Sequence, residues 1–158
     1  MIIGNGDIAS VLPNKRGLLF FASGVSNSRE TRESEYKREE NLLKEQSSYK
    51  HLVYFSSLSI FYANNRYTKH KLNMEGYVKA WFNKYTIIRL GNITWGKNPH
   101  TLINYLRAHP KAKIENVYRY IIDKEEFLHW INLIPDWDVE MNLTGRMMKV
   151  KDIVKEYV

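Results

Sequence analysis

The chain has 158 residues, of which 44% are hydrophobic, and a formal net charge of +7. This length is sufficient for one domain with one core. The sequence contains no cysteine, which excludes a disulfide framework and a thiolate metal site. Its five histidines are scattered without the helical spacing or acidic neighbours of a zinc site, so we expect no metal cofactor.

The basic charge raises the question of a nucleic-acid partner, because lysine and arginine neutralise phosphates and the eleven tyrosines and four tryptophans could stack on bases. The basic residues are, however, interleaved with acidic ones, and no basic block stands alone. We therefore expect a solvated basic surface and no nucleic-acid partner.

No apolar run approaches the roughly 20 residues that a membrane span requires. The first residues, Met1 to Gly6, lack the basic and apolar regions of a signal peptide. We therefore expect a cytoplasmic protein with no membrane partner.

Short apolar runs alternate with amphipathic stretches, which is the pattern of an α/β fold. The runs are nearly continuous, as in strands that are buried on both faces of a parallel sheet. The predicted strands are residues 1–3, 18–22, 52–55, 85–89 and, more weakly, 141–143. The predicted helices are residues 7–12, 33–46, 68–83, 101–108, 124–133 and 151–157. Thr101 is a candidate N-cap, and we expect Met74, Trp81 and Phe82 in the core.

A glycine-containing turn follows the first predicted strand, with the sequence Gly4-Asn5-Gly6-Asp7-Ile8-Ala9. In a dinucleotide site, the first glycine permits the tight bend, the second lets the backbone approach a pyrophosphate, and the amides of the following helix receive the phosphate. A plain strand-to-helix turn would use glycines too. Asp7 fits either interpretation as a helix-start residue, although its charge would repel a pyrophosphate.

The usual acidic residue for the adenosine ribose is missing, because no acid follows a second strand. Lys15 or Arg16 could serve a 2′-phosphate there, or could lie in a solvent-exposed basic loop. The next strand ends in Ala22-Ser23-Gly24, where small residues allow either a close ligand or an ordinary loop.

Tyr67 and Lys71 are four residues apart in a predicted helix, downstream of an apolar strand that ends in Ser56-Ser57. Side chains at this spacing lie on one helix face, where an ammonium would lower the pKa of a phenol and make it a usable acid or base. Ser57 could then position a substrate hydroxyl or carbonyl from the neighbouring strand. The spacing alone is also common on amphipathic helices that have no catalytic role.

Taken together and in order, these segments resemble the NAD(P)-dependent epimerase/dehydratase family, the extended branch of the short-chain dehydrogenases/reductases, in a shortened form. Residues 4–9 resemble its glycine-rich turn, Ala22-Ser23-Gly24 its strand end beside the nicotinamide, and residues 53–59 its catalytic serine strand. The segment Tyr67-Thr-Lys-His-Lys71 resembles the Y-x-x-x-K helix. Later segments, residues 88–96 and 118–123, are similar to its R-x-x-N-x-x-G and R-x-x-I-[HD] segments.

The resemblance implies a Rossmann-like, three-layer α/β fold with a mostly parallel sheet. It also implies that a strand, a helix and a further strand are missing after the first βα unit, because only residues 11–17 are available for them. We expect residues 1–158 to form a single truncated domain, with residues 96–158 contributing a small substrate region. The edge left by the missing strands makes a homodimer plausible.

The resemblance also implies residue roles. Tyr67, Lys71 and Ser57 would be catalytic, and aligning Phe61 with the family's usual Tyr supports Ser57, whereas aligning Tyr62 there would put Leu58 in its place. The cofactor, NAD or NADP, would contact the residues Gly4, Asn5, Gly6, Asp7, Ile8, Ala22, Ser23, Gly24 and Lys71. The substrate, a nucleotide-activated sugar or related polyol, would contact the residues Ser26, Asn27, Asn92 and Arg119.

Two hypotheses about function follow. The first is an NAD(P)-dependent oxidoreductase or epimerase, in which Tyr67 exchanges a proton with the substrate while hydride passes to or from the cofactor. The second is a catalytically impaired Rossmann-like binding or interaction module that has lost part of the dinucleotide site. The missing strands favour the second, and the retained Ser57, Tyr67 and Lys71 favour the first.

Overall fold

A computed structural model describes all residues from 1 to 158. Its strands are β1 (Ile2–Ile3), β2 (Leu18–Phe21), β3 (His51–Ser57), β4 (Lys84–Leu90), β5 (Asn92–Ile93), β6 (Tyr118–Ile122), β7 (Val139–Leu143) and β8 (Arg146–Lys149). Its α-helices are α1 (Glu33–Lys44), α2 (Arg66–Trp81), α3 (Leu102–Ala108), α4 (Lys124–Asn132) and α5 (Val150–Tyr157). Two short 3₁₀ turns cover Ala9–Val11 and Leu58–Phe61.

The main sheet has five parallel strands in the order β1-β2-β3-β4-β7. Every strand predicted from the apolar runs is present in it. The central strand β3 is buried along residues 51–56, as expected for a parallel sheet covered on both faces. The predicted α/β class and the mostly parallel sheet are confirmed.

Two apolar clusters lie on the opposite faces of this sheet. One contains Val53 and Phe55 of β3 together with Phe127 and Ile131 of α4. The other contains Leu52 and Tyr54 of β3 and side chains of α1 and α2. Successive strand side chains point to opposite faces, so the even-numbered residues of β3 face α1 and α2.

The helix predicted over residues 7–12 is wrong. The chain forms only the 3₁₀ turn Ala9–Val11 there, after which Leu12 is extended. Because Pro13 follows and β2 begins at Leu18, the segment is too short to lay a full helix across the sheet.

Two details of the helices differ from expectation. Trp81 is 51% exposed, whereas Met74 and Phe82 are buried as predicted. Thr101 occupies the N-cap position of α3, but its hydroxyl makes no cap bond and donates instead to the carbonyl of Asn98. The capping box of α2 pairs Asn65 with Thr68, which fixes the start of the helix that carries Tyr67 and Lys71.

A second, three-stranded sheet, in the order β5-β6-β8, was not predicted. Its strands β6 and β8 are antiparallel, and α3 and α5 pack against it through Ile103, Ile121 and Ile153. Between β6 and β8 the chain passes through α4 and through β7, which pairs with β4 in the main sheet. No helix of the structure is long and apolar enough to cross a membrane.

Candidate functional site

The carboxyl ends of β2 and β3 and the first turns of α2 bring the predicted catalytic segments together. Lys71 is almost completely buried, and its Nζ lies 5.6 Å from the centroid of the Tyr67 ring. Tyr67 is 8% exposed and packs with Val25 and Tyr36. Its hydroxyl makes no hydrogen bond to Lys71 or to Ser57.

Lys71 is paired with a carboxylate that sequence analysis did not single out. Its Nζ lies 3.2 and 3.4 Å from the two carboxylate oxygens of Glu39, on α1, and 3.4 Å from the hydroxyl of Tyr54. Glu39 is 0% exposed. The ammonium is therefore balanced inside the protein by a fully buried anion.

Glu39 has three further partners. Its carboxylate accepts hydrogen bonds from the Tyr54 hydroxyl at 2.6 Å and the Val25 backbone N–H at 2.7 Å, and lies 3.0 Å from Nε2 of His70. Burial alone would raise the pKa of Glu39, but the charge of Lys71 and these hydrogen bonds outweigh it and hold the pKa well below its usual range. Burial, together with the charge of Glu39, raises the pKa of Tyr54.

The absence of a side chain at Gly24 leaves the space that the Lys71 and Glu39 side chains occupy. A Cβ on Gly24 would lie 2.6 Å from Nζ of Lys71 and 3.0 Å from a carboxylate oxygen of Glu39. The space that the small strand end was expected to offer to a ligand is therefore filled by the ion pair. Ser23, next to it, contacts the Arg38 guanidinium through its carbonyl and hydroxyl oxygens.

The turn from Gly4 to Asp7 is covered by another loop of the same chain. The carboxylate of Asp7 accepts the backbone N–H groups of Lys97 and Asn98, both at 2.9 Å. A Cβ on Gly96 would lie 2.1 Å from Cγ of Asp7, so the loop after β5 packs directly on this side chain. The Asn98 amide in turn donates to the hydroxyl of Ser26 at 2.9 Å.

The remaining predicted residues of the glycine-rich turn also have structural surroundings. Gly4 has a φ of 120°, and a Cβ there would lie 2.3 Å from the carbonyl oxygen of Ala22. Ile8 packs against the core, and Asn5 and Gly6 are exposed. The turn continues into the 3₁₀ turn Ala9–Val11 and not into an α-helix, so the expected N-terminus of an α-helix is not present beside it.

Lys15 and Arg16, considered for a 2′-phosphate, do not face this turn. Nζ of Lys15 donates to the carbonyl oxygens of Ile131 and Asn132 at the end of α4. Arg16 lies at the opposite end of the sheet, next to the first residues of the strands. The structure therefore brings neither cation to the turn at Gly4.

Ser57 and Ser56 occupy opposite faces of β3. The Ser57 hydroxyl lies 2.8 Å from the Ser59 hydroxyl and accepts the Ser59 backbone N–H, so it caps the following 3₁₀ turn. Ser56 shares the face of Tyr54, which contacts Lys71. Its Oγ is the one buried side-chain polar atom that lacks a hydrogen-bond partner.

The predicted substrate residues make contacts within the protein. The Asn92 amide donates to the carbonyl of Tyr120, and the Asn27 side chain accepts the Arg29 N–H. The Arg119 guanidinium donates a hydrogen bond to the carboxylate of Glu115, and its central carbon lies 5.6 Å from the centroid of the Tyr62 ring. Tyr62 is 53% exposed, so this ring and cation present a surface near the carboxyl end of β3.

A dinucleotide does not fit the residues present. The loop held by Asp7 lies on the glycine turn, a buried carboxylate already pairs with Lys71, and no further strand flanks β1 to hold an adenosine. A carboxylate beside the turn would also repel a pyrophosphate.

No protein-family model and no curated protein matches the chain. Solved structures do match. The enzyme WbmG of Bordetella bronchiseptica in complex with NAD is 13% identical, with a TM-score of 0.70, over 88% of this chain and 54% of that one. The structure of the same enzyme with NAD and UDP matches at 15% identity and a TM-score of 0.67, over 90% of this chain and 56% of that one.

A reductase has the same fold. The dTDP-4-dehydrorhamnose reductase of Bacillus anthracis in complex with NADP is 13% identical, with a TM-score of 0.63, over 89% of this chain and 61% of that one. These identities show the fold alone. The chain has the fold of the NAD-dependent epimerases/dehydratases and sugar-nucleotide reductases, and it spans little more than half the length of these structures.

Proposed function

We propose that this chain is a binding module built on the epimerase/dehydratase fold, and that it does not carry out dinucleotide-dependent hydride transfer. The observation that carries the proposal is the buried pair of Lys71 and Glu39. The Lys71 ammonium has three N–H donors, and the two Glu39 oxygens and the Tyr54 hydroxyl lie within 3.4 Å of it, so a cofactor would have to displace one of these buried contacts. Breaking a buried ion pair by removing one partner costs about 3 to 5 kcal/mol.

The ligand that we propose is nucleotide-sugar-like, bound near the carboxyl end of β3. The support is the half-exposed Tyr62 ring with Arg119 beside it, since an aromatic ring can stack on a base and a guanidinium can bind a phosphate. The matched structure that contains UDP is consistent with this ligand class. We also propose a cytoplasmic location and a homodimer, in which the exposed edge of the sheet at β1 would be covered.

A titration followed by protein fluorescence tests the proposed ligand class. We expect saturable binding of UDP or UDP-glucose, and an affinity at least about tenfold weaker in Arg119→Gln, because a charge-assisted hydrogen bond is removed. Lys113→Gln is the matched control, since Lys113 is an exposed cation in the loop before β6. Absence of UDP binding, or equal weakening in both variants, would contradict the proposed ligand class.

An NAD(P)-dependent oxidoreductase or epimerase is the second candidate, and one observation favours it. Tyr67 and Lys71 lie on one face of α2, with Nζ of Lys71 5.6 Å from the centroid of the Tyr67 ring, which is compatible with a catalytic Tyr/Lys pair. If a dinucleotide binds, Tyr67→Phe should keep that binding and lose turnover. Retained turnover in Tyr67→Phe would remove this tyrosine from the mechanism.

A further inference from the structure

A cavity of about 270 Å³ opens at the amino end of the main sheet, opposite the Tyr67 and Lys71 site. Its floor is formed by the first residues of three neighbouring strands, Leu18, His51 and Lys84. Residues Arg16, Gly17, Tyr49 and Asp136 complete the lining. This volume lies below the range of roughly 300–1,000 Å³ that is usual for drug-sized ligands, so the cavity suits a small molecule.

His51 directs an unpartnered nitrogen into this cavity. The side chain is 7% exposed, and its Nε2 lies 2.8 Å from the Thr86 hydroxyl. Its Nδ1 makes no hydrogen bond within the protein but keeps some solvent contact, and His51 is one of the residues that line the cavity. When the Thr86 hydroxyl donates to Nε2, Nδ1 carries the hydrogen and acts as a donor.

Two cations flank this donor. Arg16 is exposed and forms no ion pair. Nζ of Lys84 lies 2.7 Å from Asp136, whose side chain is 88% exposed, so this is a surface pair that a ligand can replace at little cost. The carboxylate of Asp138 is held by the backbone N–H of Tyr85.

Burial lowers the pKa of His51, and the nearby charge of Lys84 acts in the same direction, against Asp136 and Asp138. The lowered pKa favours the neutral imidazole, which offers its one N–H at Nδ1 when Nε2 accepts from Thr86. The Tyr49 ring, 86% exposed, stands at the cavity rim, where it can cover the apolar face of a sugar.

We propose that this cavity binds a small phosphomonoester, with the phosphate between Arg16 and Lys84 and one phosphate oxygen accepting the Nδ1 hydrogen of His51. Arginine and lysine provide the charge, and the guanidinium can contact two phosphate oxygens at once. The site lies at the other end of the sheet from Tyr67 and Lys71, so it is independent of the function proposed above.

Calorimetry with inorganic phosphate and with glucose 1-phosphate tests the site. We expect saturable binding of glucose 1-phosphate, whereas binding of inorganic phosphate without binding of the ester would contradict the proposed ligand. Arg16→Gln should weaken the binding at least about tenfold, whereas Lys113→Gln, which removes the same charge elsewhere, should change it less than about twofold.

Backbone NMR locates the binding even if a variant at His51 folds poorly. Glucose 1-phosphate should shift the amide signals of Leu18, His51 and Lys84 and leave the amide signal of Tyr67 unchanged. No saturable binding at millimolar concentration, equal weakening in Arg16→Gln and Lys113→Gln, or shifts confined to other surfaces would overturn the proposal.

Discussion

Nζ of Lys71 lies 3.2 Å from the carboxylate of Glu39, and both side chains are withdrawn from solvent. The pair joins α2 to α1 over the end of β2, where Gly24 leaves room for it. Lys71, which resembles a catalytic lysine in the sequence, is therefore part of a buried ion pair.

Glu39→Gln should destabilise the protein by about 3 to 5 kcal/mol, because it leaves the Lys71 ammonium buried without an anion. Urea unfolding followed by circular dichroism measures the change. The control is Glu40→Gln, one residue along, which removes an exposed partner of Lys44 and should cost about 1 kcal/mol or less. Similar decreases in the free energy of unfolding of the two variants would show that the buried Glu39 stabilises the protein no more than a surface ion pair does.

The stability should fall in acid, and Glu39 should contribute to the fall. Its folded pKa is depressed, whereas its ordinary value is 4.5, so below about pH 4.5 the unfolded chain binds a proton that the folded chain resists. The contribution is therefore complete above that pH and is lost as the pH decreases toward the folded pKa. Unfolding free energies measured from pH 7 to pH 3 should have a shallower slope in Glu39→Gln, and an unchanged slope would contradict the ion pair.

Asp7→Ala should release the loop after β5. The variant removes the two hydrogen bonds to the backbone N–H groups of Lys97 and Asn98, with an expected cost of about 1 to 3 kcal/mol. Hydrogen exchange at these two amides should accelerate, while exchange at β3 changes only with global stability. The control is Asp152→Ala, which removes a surface acid and should leave the exchange of both amides unchanged. If both amides also stay protected in Asp7→Ala, Asp7 does not hold the loop.

Gly96→Ala should destabilise the protein by at least about 1 to 2 kcal/mol, because φ is 96° and a Cβ would collide with the Asp7 side chain. Gly76→Ala is the matched control. Gly76 is exposed within α2 and has open space around it, so alanine there should stabilise the helix by about 0.5 to 1 kcal/mol. Thermal unfolding of both variants should thus show shifts of opposite sign, and a neutral Gly96→Ala would contradict the packing of Asp7 on this glycine.

The main sheet was predictable because its inner strands contain nearly continuous apolar runs. Leu52 to Phe55 are buried on both faces, and burial of this kind leaves a continuous run in the sequence. The second sheet was not predictable, since β5 has two residues and β6 and β8 are largely half-exposed, so neither run nor alternation marks them.

The candidate site was predictable only in part. The helical spacing of Tyr67 and Lys71 places them on one face, which the structure shows. Glu39 was missed because it stands among several acids of α1, and only the tertiary fold selects which of them is buried against Lys71, His70 and Tyr54. Asp7 likewise gains its role from a loop 90 residues further along the chain.

Direct titration of the protein with NAD, NADH, NADP and NADPH tests the central claim, that Lys71 is committed to Glu39 and no dinucleotide site remains. The account predicts no saturable change in heat or in tryptophan fluorescence with any of the four at millimolar concentration, in a preparation whose unfolding transition confirms that it is folded. Saturable binding of any one of them, weakened in Lys71→Met, would contradict the claim and restore the oxidoreductase as the better explanation.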